Sequence, residues 1–174
     1  EECIERDAKR TKPVGEKVIR DMYKQYLYKP TEPPEYNENL PDVVLCDIDG
    51  TIALMGERGA FEWHRVGEDS LNKPVVEILR LLATKYPIIL FSGRDNVCRP
   101  ETLGWIAKFE IPATALHMRP EGDNRKDSIV KKEMYEQFIK GKFNIKIVLD
   151  DRNQVVEMWR SLGLTCFQVA DGNF

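Results

Sequence analysis

The sequence predicts an α/β fold in which a parallel sheet is covered by helices on both faces. Continuous apolar runs, typical of strands buried on both sides, alternate along the chain with segments of helical periodicity. The predicted strands are Val43–Ile48, Ile88–Ser92, Ala115–Met118, Ile145–Leu149 and Cys166–Val169. The predicted helices are Pro74–Lys85, Glu101–Phe109, Asp127–Ile139 and Asn153–Leu162.

The composition of the chain argues against some classes of function. The chain has 174 residues, of which 42% are hydrophobic and 32% charged, and its net charge is -3. This balance argues against a broadly basic surface that coats nucleic acid, although a local arginine cluster stays possible. The four cysteines show no CxxC spacing, so neither a zinc site nor a disulfide framework is indicated. No signal peptide or membrane-spanning apolar run is visible, so we expect a cytosolic protein without a membrane partner.

The N-terminal part of the chain has a different organisation. Residues 14–28 carry apolar side chains at helical spacing, and residues 30–42 hold four prolines among polar residues, which is typical of an extended linker. We therefore predict a helical segment over 1–29, a linker over 30–42 and the α/β domain over 43–174. Because the chain starts Glu-Glu-Cys without a methionine, we expect it to be a fragment of something longer.

Two carboxylates follow the first predicted strand. Asp47 and Asp49 lie two residues apart, so on a continuing strand both would point to one side, and Gly50 then permits a tight turn. Paired acids at the carboxyl edge of a parallel sheet can act as a nucleophile and a proton shuttle beside a divalent cation. The alternative is an Asp-Gly turn whose acids are solvated. An EF-hand is excluded, because that loop needs glycine at position six and glutamate at twelve.

Other polar groups stand at later strand ends. Ser92-Gly93-Arg94 offers a hydroxyl and a guanidinium that suit phosphate oxygens, although Ser-Gly is also a common turn. Asp150 and Asp151 leave a buried strand together, and adjacent carboxylates are best tolerated beside a cation. The alternative is that one of them caps the next helix. Lys131, taken alone, is compatible with a solvated helix face.

Taken together, Asp47-x-Asp49-Gly-Thr51, Ser92, Lys131 and Asp150-Asp151 resemble the four ordered signatures of the haloacid dehalogenase superfamily of phosphotransferases. The resemblance covers residues 43–174 and implies a doubly wound sheet and a Mg2+-dependent phosphoaspartate mechanism. It implies that Asp47 is the nucleophile, that Asp49 is the general acid and then base, and that Ser92 and Lys131 hold the phosphoryl group. The implied metal ligands are Asp47, Asp49 through its backbone carbonyl, Asp150 and Asp151, with Asp151 the preferred direct ligand of the last two.

A narrower resemblance is carried by Arg58, by Arg94 after Ser92-Gly93, by Arg125-Lys126-Asp127 and by the segment 150–160. These stretches are similar to the 3′-phosphatase domains of polynucleotide kinase/phosphatases of the T-even phage type. The resemblance implies that Arg94 is a further catalytic residue and that the substrate-binding residues are Thr51, Arg58, Gly93, Arg119 and Asp127. It also implies nucleic-acid 3′ ends as substrate, a role in end repair and a host-cytoplasmic location if the chain is phage-encoded. Residues 1–29 resemble the end of the companion 5′-kinase domain, yet the chain has no GxxxxGK[ST] loop, so kinase activity is not expected.

The lengths of two insertions lead to a hypothesis about the size of the substrate. In this fold, segments after the first two acid-bearing strands form a lid, and here Ala53–Asn72 and Asp95–Ala113 are too short for a separate cap domain. An open site suits a polymer end, whose backbone Arg58, Arg94, Arg99, Arg119 and Arg125 could follow. Trp63 and His64 could stack on a terminal base, but we prefer the interpretation that they anchor their loop. The alternative functions are a small-molecule phosphatase and a non-catalytic assembly module, and the sequence leaves a homo-oligomer open.

Overall fold

The structure, a computed structural model, describes residues 1–27, 31–59 and 61–173, with residues 24 and 27 described by their backbone alone. The chain divides into two compact units, Glu1–Thr31 and Glu32–Phe174. The first unit contains helices α1 (Glu2–Ala8) and α2 (Glu16–Met22), and α2 continues into a π-helical turn, Tyr23–Leu27. Asp7 is buried and accepts hydrogen bonds from the backbone N–H groups of residues 14 and 15, which fixes the turn between the two helices. The predicted helix thus begins at residue 16, and residue 28 lies outside the described residues.

The second unit carries the sheet and the helices that cover it. Its strands are β1 (Asp42–Cys46), β2 (Ala53–Leu54), β3 (Ser70–Leu71), β4 (Ile88–Asp95), β5 (Ala115–Arg119), β6 (Asn144–Arg152) and β7 (Cys166–Gly172). Its α-helices are α3 (Lys73–Ala83), α4 (Arg99–Lys108), α5 (Asp127–Phe138) and α6 (Asn153–Ser161). Short 3-10 helices cover Trp63–Glu68 and Asn96–Cys98.

Five strands form one parallel sheet in the order β5-β4-β1-β6-β7, with β1 at its centre. Alternate residues of β1 enter two separate apolar cores. Val44 and Cys46 pack into one core, on the side of α3 and α4, and Val43 and Leu45 pack into the other, on the side of α5 and α6. The predicted α/β fold with helices on both faces is therefore confirmed, and the strand order makes the sheet doubly wound.

Several strands run further than the apolar pattern predicts, and β4 and β6 do so where functional residues were expected. β4 extends through Gly93, Arg94 and Asp95, so the Ser-Gly pair lies within a strand and not in a turn. Its pairing with β5 shifts register between Ser92 and Asp95, and the pairing of β6 with β7 shifts between Asp150 and Arg152. Such bulges change the direction of a side chain at the end of a strand. The apolar pattern does not predict these extensions, because they consist of polar residues and only apolar residues indicate a buried strand.

The two insertions are small. The first holds the antiparallel pair β2–β3 and the 3-10 helix 63–68, and the second holds a 3-10 turn followed by α4. Neither forms a separate cap domain in the described part of the chain. Among the described residues, no helix is both long and apolar enough to cross a membrane.

Candidate active site

The turn after β1 places Asp47 at the carboxyl edge of the sheet. The Asp47 N–H group still donates to the Leu149 carbonyl of β6 at 2.9 Å, so its backbone stays in the sheet. Gly50 then turns the chain with a φ of 78°, a region that glycine enters without strain. A Cβ atom on Gly50 would lie 2.1 Å from Asp151 Oδ2, so glycine also makes room for that carboxylate. The local sequence thus brings Asp47 and Asp151 to one place.

Lys131 extends from α5 into this cluster of acids. Its Nζ atom lies 2.6 Å from Asp47 Oδ1, 3.0 Å from Asp150 Oδ2 and 3.6 Å from Asp127 Oδ2. Lys131 is 1% exposed, so the alternative of a solvated helix face is wrong. Behind it, Asp150 also accepts a hydrogen bond from Trp159 Nε1 at 3.2 Å, which anchors the cluster to the second core.

Neither adjacent acid caps the following helix through its side chain. The residue before α6 is Arg152, no side-chain capping bond is present there, and Asp150 and Asp151 both belong to β6. Asp150 Oδ1 instead accepts the Arg152 N–H group at 3.2 Å, and Asp151 Oδ1 lies 3.4 Å from Thr51 Oγ1. The helix-capping alternative is therefore wrong.

Charge in the cluster is unbalanced. Carboxylate oxygens of Asp47, Asp150 and Asp151 lie within 4.8 Å of one another, and three carboxylates share one ammonium, that of Lys131. Burial raises the pKa of Asp47 well above 3.8. Lys131 opposes this increase in pKa, and the other acids of the cluster add to it. Burial and Asp150 raise the pKa of Asp151 to about 6. Burial would lower the pKa of Lys131, but Asp150, Asp47 and Asp127 outweigh it and raise that pKa well above 10.5.

A divalent cation fits this set of donors. Two negative charges are left over when one ammonium faces three carboxylates, and hard oxygen ligands are those that Mg2+ prefers. The absent Cβ of Gly50 keeps Asp151 inside the cluster. The Asp49 carboxylate does not belong to this group, and a contribution from the Asp49 backbone carbonyl stays a prediction.

Two buried arginines hold the Asp49 side chain. Arg94 donates from Nε to Oδ2 at 2.8 Å and from its terminal nitrogen to Oδ1 at 2.8 Å, and Arg58 adds a bond to Oδ1 at 3.2 Å. A forked guanidinium fixes both oxygens of a carboxylate at once. The Arg58 and Arg94 side chains are 2% and 0% exposed, so they position Asp49 and do not follow a nucleic-acid backbone.

Asp69 organises both arginines and was missed by the sequence analysis. It accepts from Arg58 at 2.6 and 2.7 Å and from Arg94 at 2.6 Å, and it is 2% exposed. Its own carbonyl accepts Trp105 Nε1 at 2.8 Å, which fixes its backbone against the core. An isolated aspartate in an insertion gives no local signal of this role.

Arg119 holds Asp127 and the loop before α5. It donates to Asp127 Oδ1 at 3.0 Å and to the Gly93 carbonyl at 2.7 Å, and its third nitrogen serves two loop carbonyls, those of Asp123 and Arg125. Every guanidinium nitrogen of Arg119 is therefore engaged by the protein. The Gly93 carbonyl reaches Arg119 at the bulge of β4.

Most predicted site residues line one cleft of about 650 Å³. Its lining includes nine of them: Asp47, Asp49, Arg58, Gly93, Arg94, Arg119, Asp127, Lys131 and Asp151. Thr51, Ser92 and Asp150 are buried and do not line it. Ser92 Oγ accepts a hydrogen bond from the Arg94 N–H group at 3.1 Å, so the structure shows Ser92 stabilising the β4 bulge. Trp63 packs against the first core, as loop anchoring requires, and it also lines the cleft, so stacking on a base stays the alternative for it; His64 is exposed and does not anchor the loop by burial.

Replacing Gly93 by alanine is expected to lower kcat about 10- to 100-fold, because displacing a group by an ångström can cost that much. The new Cβ would lie 2.5 Å from Asp127 Oδ1 and 3.0 Å from its Cγ, so Asp127 must move away from Lys131 and Arg119. Gly104→Ala is the matched control, since nothing lies within 4 Å of the added Cβ on that helix. Steady-state kinetics of both variants check this, and equal activity of the two would contradict it.

The comparisons with known proteins agree with this geometry. Residues 41–174 match the family described as polynucleotide kinase PNKP phosphatase domain. The chain belongs to this family. A protein of Autographa californica nuclear polyhedrosis virus, whose name couples polynucleotide kinase with RNA ligase, is 35% identical over 97% of this chain. The chain spans only 26% of that relative's length.

Two solved structures are similar to the chain. A chain of a Pnkp1/Rnl/Hen1 complex has 42% identity and a TM-score of 0.79, covering 84% of this chain and 52% of that one. A chain of a Pnkp1/Rnl/Hen1 RNA repair complex has 34% identity and the same TM-score, covering 98% and 61%. This family member is thus a phosphatase domain of the haloacid dehalogenase type, as the sequence motifs predicted.

Proposed function

We propose that the chain is a Mg2+-dependent polynucleotide 3′-phosphatase, which removes the 3′-phosphate from DNA or RNA ends through an aspartyl-phosphate. The observation that carries the proposal is the Asp47 carboxylate, fixed 2.6 Å from Lys131 Nζ in a cleft that also exposes Asp49. Family membership supports a phosphatase in polynucleotide repair. The names of the relatives, which include an RNA repair complex, support nucleic-acid ends as the substrate.

In the proposed mechanism an Asp47 oxygen attacks phosphorus. The bond from Asp47 to phosphorus forms while the ester bond breaks, and Asp49 gives its proton to the departing 3′ oxygen. A water molecule then attacks the aspartyl-phosphate, Asp49 takes a proton from that water, and Asp47 is released with inorganic phosphate. Arg94 and Arg58 hold the ionised Asp49 carboxylate, which is the form that takes the proton of water in the second step, and the first step requires that Asp49 has taken up a proton beforehand. Lys131 neutralises charge on the transferring group.

We propose Mg2+ as the cofactor, with Asp47, Asp150 and Asp151 as side-chain ligands and the Asp49 carbonyl as a further one. When bound, the cation neutralises carboxylate and phosphoryl charge and so lets an anionic nucleophile approach an anionic ester. Hydrolysis of phosphate monoesters requires roughly 20 kcal/mol of barrier lowering, and electrostatic stabilisation supplies most of such an effect.

The proposal is tested by phosphate release from a 3′-phosphorylated oligonucleotide, with and without Mg2+, beside the matching 3′-mononucleotide. Mg2+-dependent release that favours the oligonucleotide supports it. Release from the mononucleotide alone would make the chain a small-molecule phosphatase. No release from either, with Mg2+ bound and the chain folded, would favour the non-catalytic assembly module.

The wider context is also a proposal. The viral relative is about four times longer than this chain, and its name includes a polynucleotide kinase. We therefore propose that the phosphatase works beside a kinase domain of the same polypeptide, whose end residues 1–29 would represent. A cytosolic location and a homo-oligomer stay predictions.

Stabilisation of the protein by Mg2+ is expected to grow as pH rises through about 6. The folded-state pKa of Asp151 is raised from 3.8 to about 6, so ionisation of Asp151 lowers stability progressively between these values. A bound cation removes that cost, but it must compete with the proton below about pH 6. Thermal unfolding with and without Mg2+ on both sides of this pH measures the effect.

Asp151→Asn provides the control for this prediction. Asparagine removes one titrating group and one ligand charge, so the Mg2+-induced rise in Tm should shrink and depend less on pH in this range, although Asp47, whose pKa burial also raises, still titrates. A Mg2+ effect equally large at both pH values in the unaltered protein would contradict the assignment of Asp151 as a ligand.

A further inference from the structure

Phe61 is an exposed aromatic ring in the wall of the catalytic cleft. It is 81% exposed, the largest exposed fraction of any large hydrophobic residue in the described part of the chain, and it lines the same cleft as Asp47 and Lys131. We propose that Phe61 is the platform on which the base of the 3′-terminal nucleotide stacks. This inference rests on the proposed function, because it assigns the binding of that same substrate.

The turn that carries Phe61 is fixed at both ends. Gly59 donates its N–H group to Glu62 Oε2 at 2.6 Å, and Glu62 donates its own N–H group to the Gly59 carbonyl at 3.1 Å. Arg65 holds the Glu62 carboxylate at 3.1 Å. A ring presented on a closed turn loses little conformational freedom when a ligand stacks on it, which favours binding.

Trp63 supports the ring and leaves a face available. The two ring centroids lie 6.0 Å apart with an angle of 88° between the planes, so contact with Trp63 covers at most one face of Phe61. Trp63 itself packs against the first core. Trp63 thus anchors the insertion, whereas Phe61 has an aromatic face that is open for a ligand.

The contents of the cleft favour a base over another apolar group. When the phosphate of a 3′ end lies at Asp47 and Lys131, the ribose and base attached to it must occupy the remainder of the same cleft. Its volume of about 650 Å³ lies within the range of small-molecule sites, so a nucleotide is a suitable size. Met55 and Leu54 are further exposed apolar residues of the cleft lining.

A cationic group in the cleft complements the substrate's backbone. Lys126 lines the cleft, is exposed, and makes no ion pair with any residue that the structure describes. A phosphodiester beyond the terminal nucleotide can be reached by such a side chain. Aromatic stacking with one backbone contact is the pattern of single-strand binding without base preference. We therefore expect tolerance of all four bases and a preference for unpaired 3′ ends.

The test pairs one substitution with one change in the substrate. Two 3′-phosphorylated oligonucleotides are compared, one ending in a normal nucleotide and one ending in an abasic sugar phosphate. With the unaltered protein, removal of the base should lower kcat/KM roughly tenfold or more, within the range reported for one stacked base. Phe61→Ala should cause the same loss on the normal end and almost none on the abasic end. Phe61→Trp should keep the activity, and Phe167→Ala is the control for an exposed phenylalanine outside the cleft.

A second readout does not depend on turnover. In an Asp47→Asn background, an end that carries 2-aminopurine should lose fluorescence on binding as its base stacks, and Phe61→Ala should abolish that quenching. Equal losses on normal and abasic ends, or unchanged quenching in Phe61→Ala, would overturn the stacking role while leaving the phosphatase standing. Failure of the unaltered protein to release phosphate from either oligonucleotide would overturn the proposed function, and the stacking role with it.

Discussion

Asp47→Asn is expected to lower phosphate release by about 10⁴-fold or more, the largest effect that we predict. Asparagine matches aspartate in shape but cannot form the aspartyl-phosphate. The fold should survive, because Lys131 keeps Asp150 as a partner at 3.0 Å. Removing one of three crowded carboxylates also lifts part of their repulsion, so Tm without Mg2+ should be unchanged or higher.

Phosphate release, thermal unfolding and acid-quench trapping of phosphorylated protein measure these effects together. The trapped species should appear with the unaltered protein and be absent from Asp47→Asn. Asp123→Asn is the matched control, because Asp123 is an acid of the same cleft whose side chain pairs with Arg125 and lies outside the carboxylate cluster. Turnover in Asp47→Asn within tenfold of the control would contradict the nucleophile assignment.

Arg94→Lys is expected to have the second largest effect, lowering kcat about 100-fold while KM changes little. Lysine keeps the positive charge but loses the fork that binds both Asp49 oxygens and Asp69. Asp49 then keeps only the Arg58 bond to Oδ1 at 3.2 Å, which does not fix both of its oxygens against rotation away from the leaving oxygen. Because the Arg94 and Asp69 side chains are 0% and 1% exposed, the variant should also lose about 2 kcal/mol or more of stability.

The dependence on the leaving group separates positioning of Asp49 from a general loss of structure. If Arg94 positions a general acid, the fall in activity should be greater for an oligonucleotide 3′-phosphate than for an aryl phosphate, whose leaving oxygen needs less protonation. Arg20→Lys is the control outside the cleft, because its ion pairs with Glu1 and Glu16 are surface pairs of small energetic value. Equal losses on both substrates would show that Arg94 acts on something other than Asp49.

The ion pairs of Asp69 connect Arg58, within the first insertion, to Arg94, and these two arginines hold Asp49. The insertion contributes the Arg58–Asp69 ion pair, of which Arg58 lines the cleft, and it contributes Phe61 to the cleft wall. The same short segment would then serve proton transfer and substrate binding. Loss of structure in the insertion should therefore affect both kcat and KM, whereas Arg94→Lys affects mainly kcat.

The sheet, its parallel class and the acids at its edge could all be predicted from local features of the chain. Continuous apolar strands and the Asp-x-Asp-Gly turn are local features, so the strands and the position of Asp47 could be predicted from neighbouring residues alone. Gly50 indicates its turn in the same local way, because a positive φ favours glycine. The spaced motifs then allowed the family to be identified.

The pairing of these residues, in contrast, depends on contacts between distant parts of the chain. Lys131 and Asp47 are 84 residues apart, and Arg94 and Asp69 are 25 apart, so no periodicity connects them. The burial of Lys131, the turning of Asp49 towards two arginines and the role of Asp69 follow from strand order and from bulges at strand ends. Charged residues carry no apolar signal, and their roles depend on which partners the fold places within hydrogen-bonding distance.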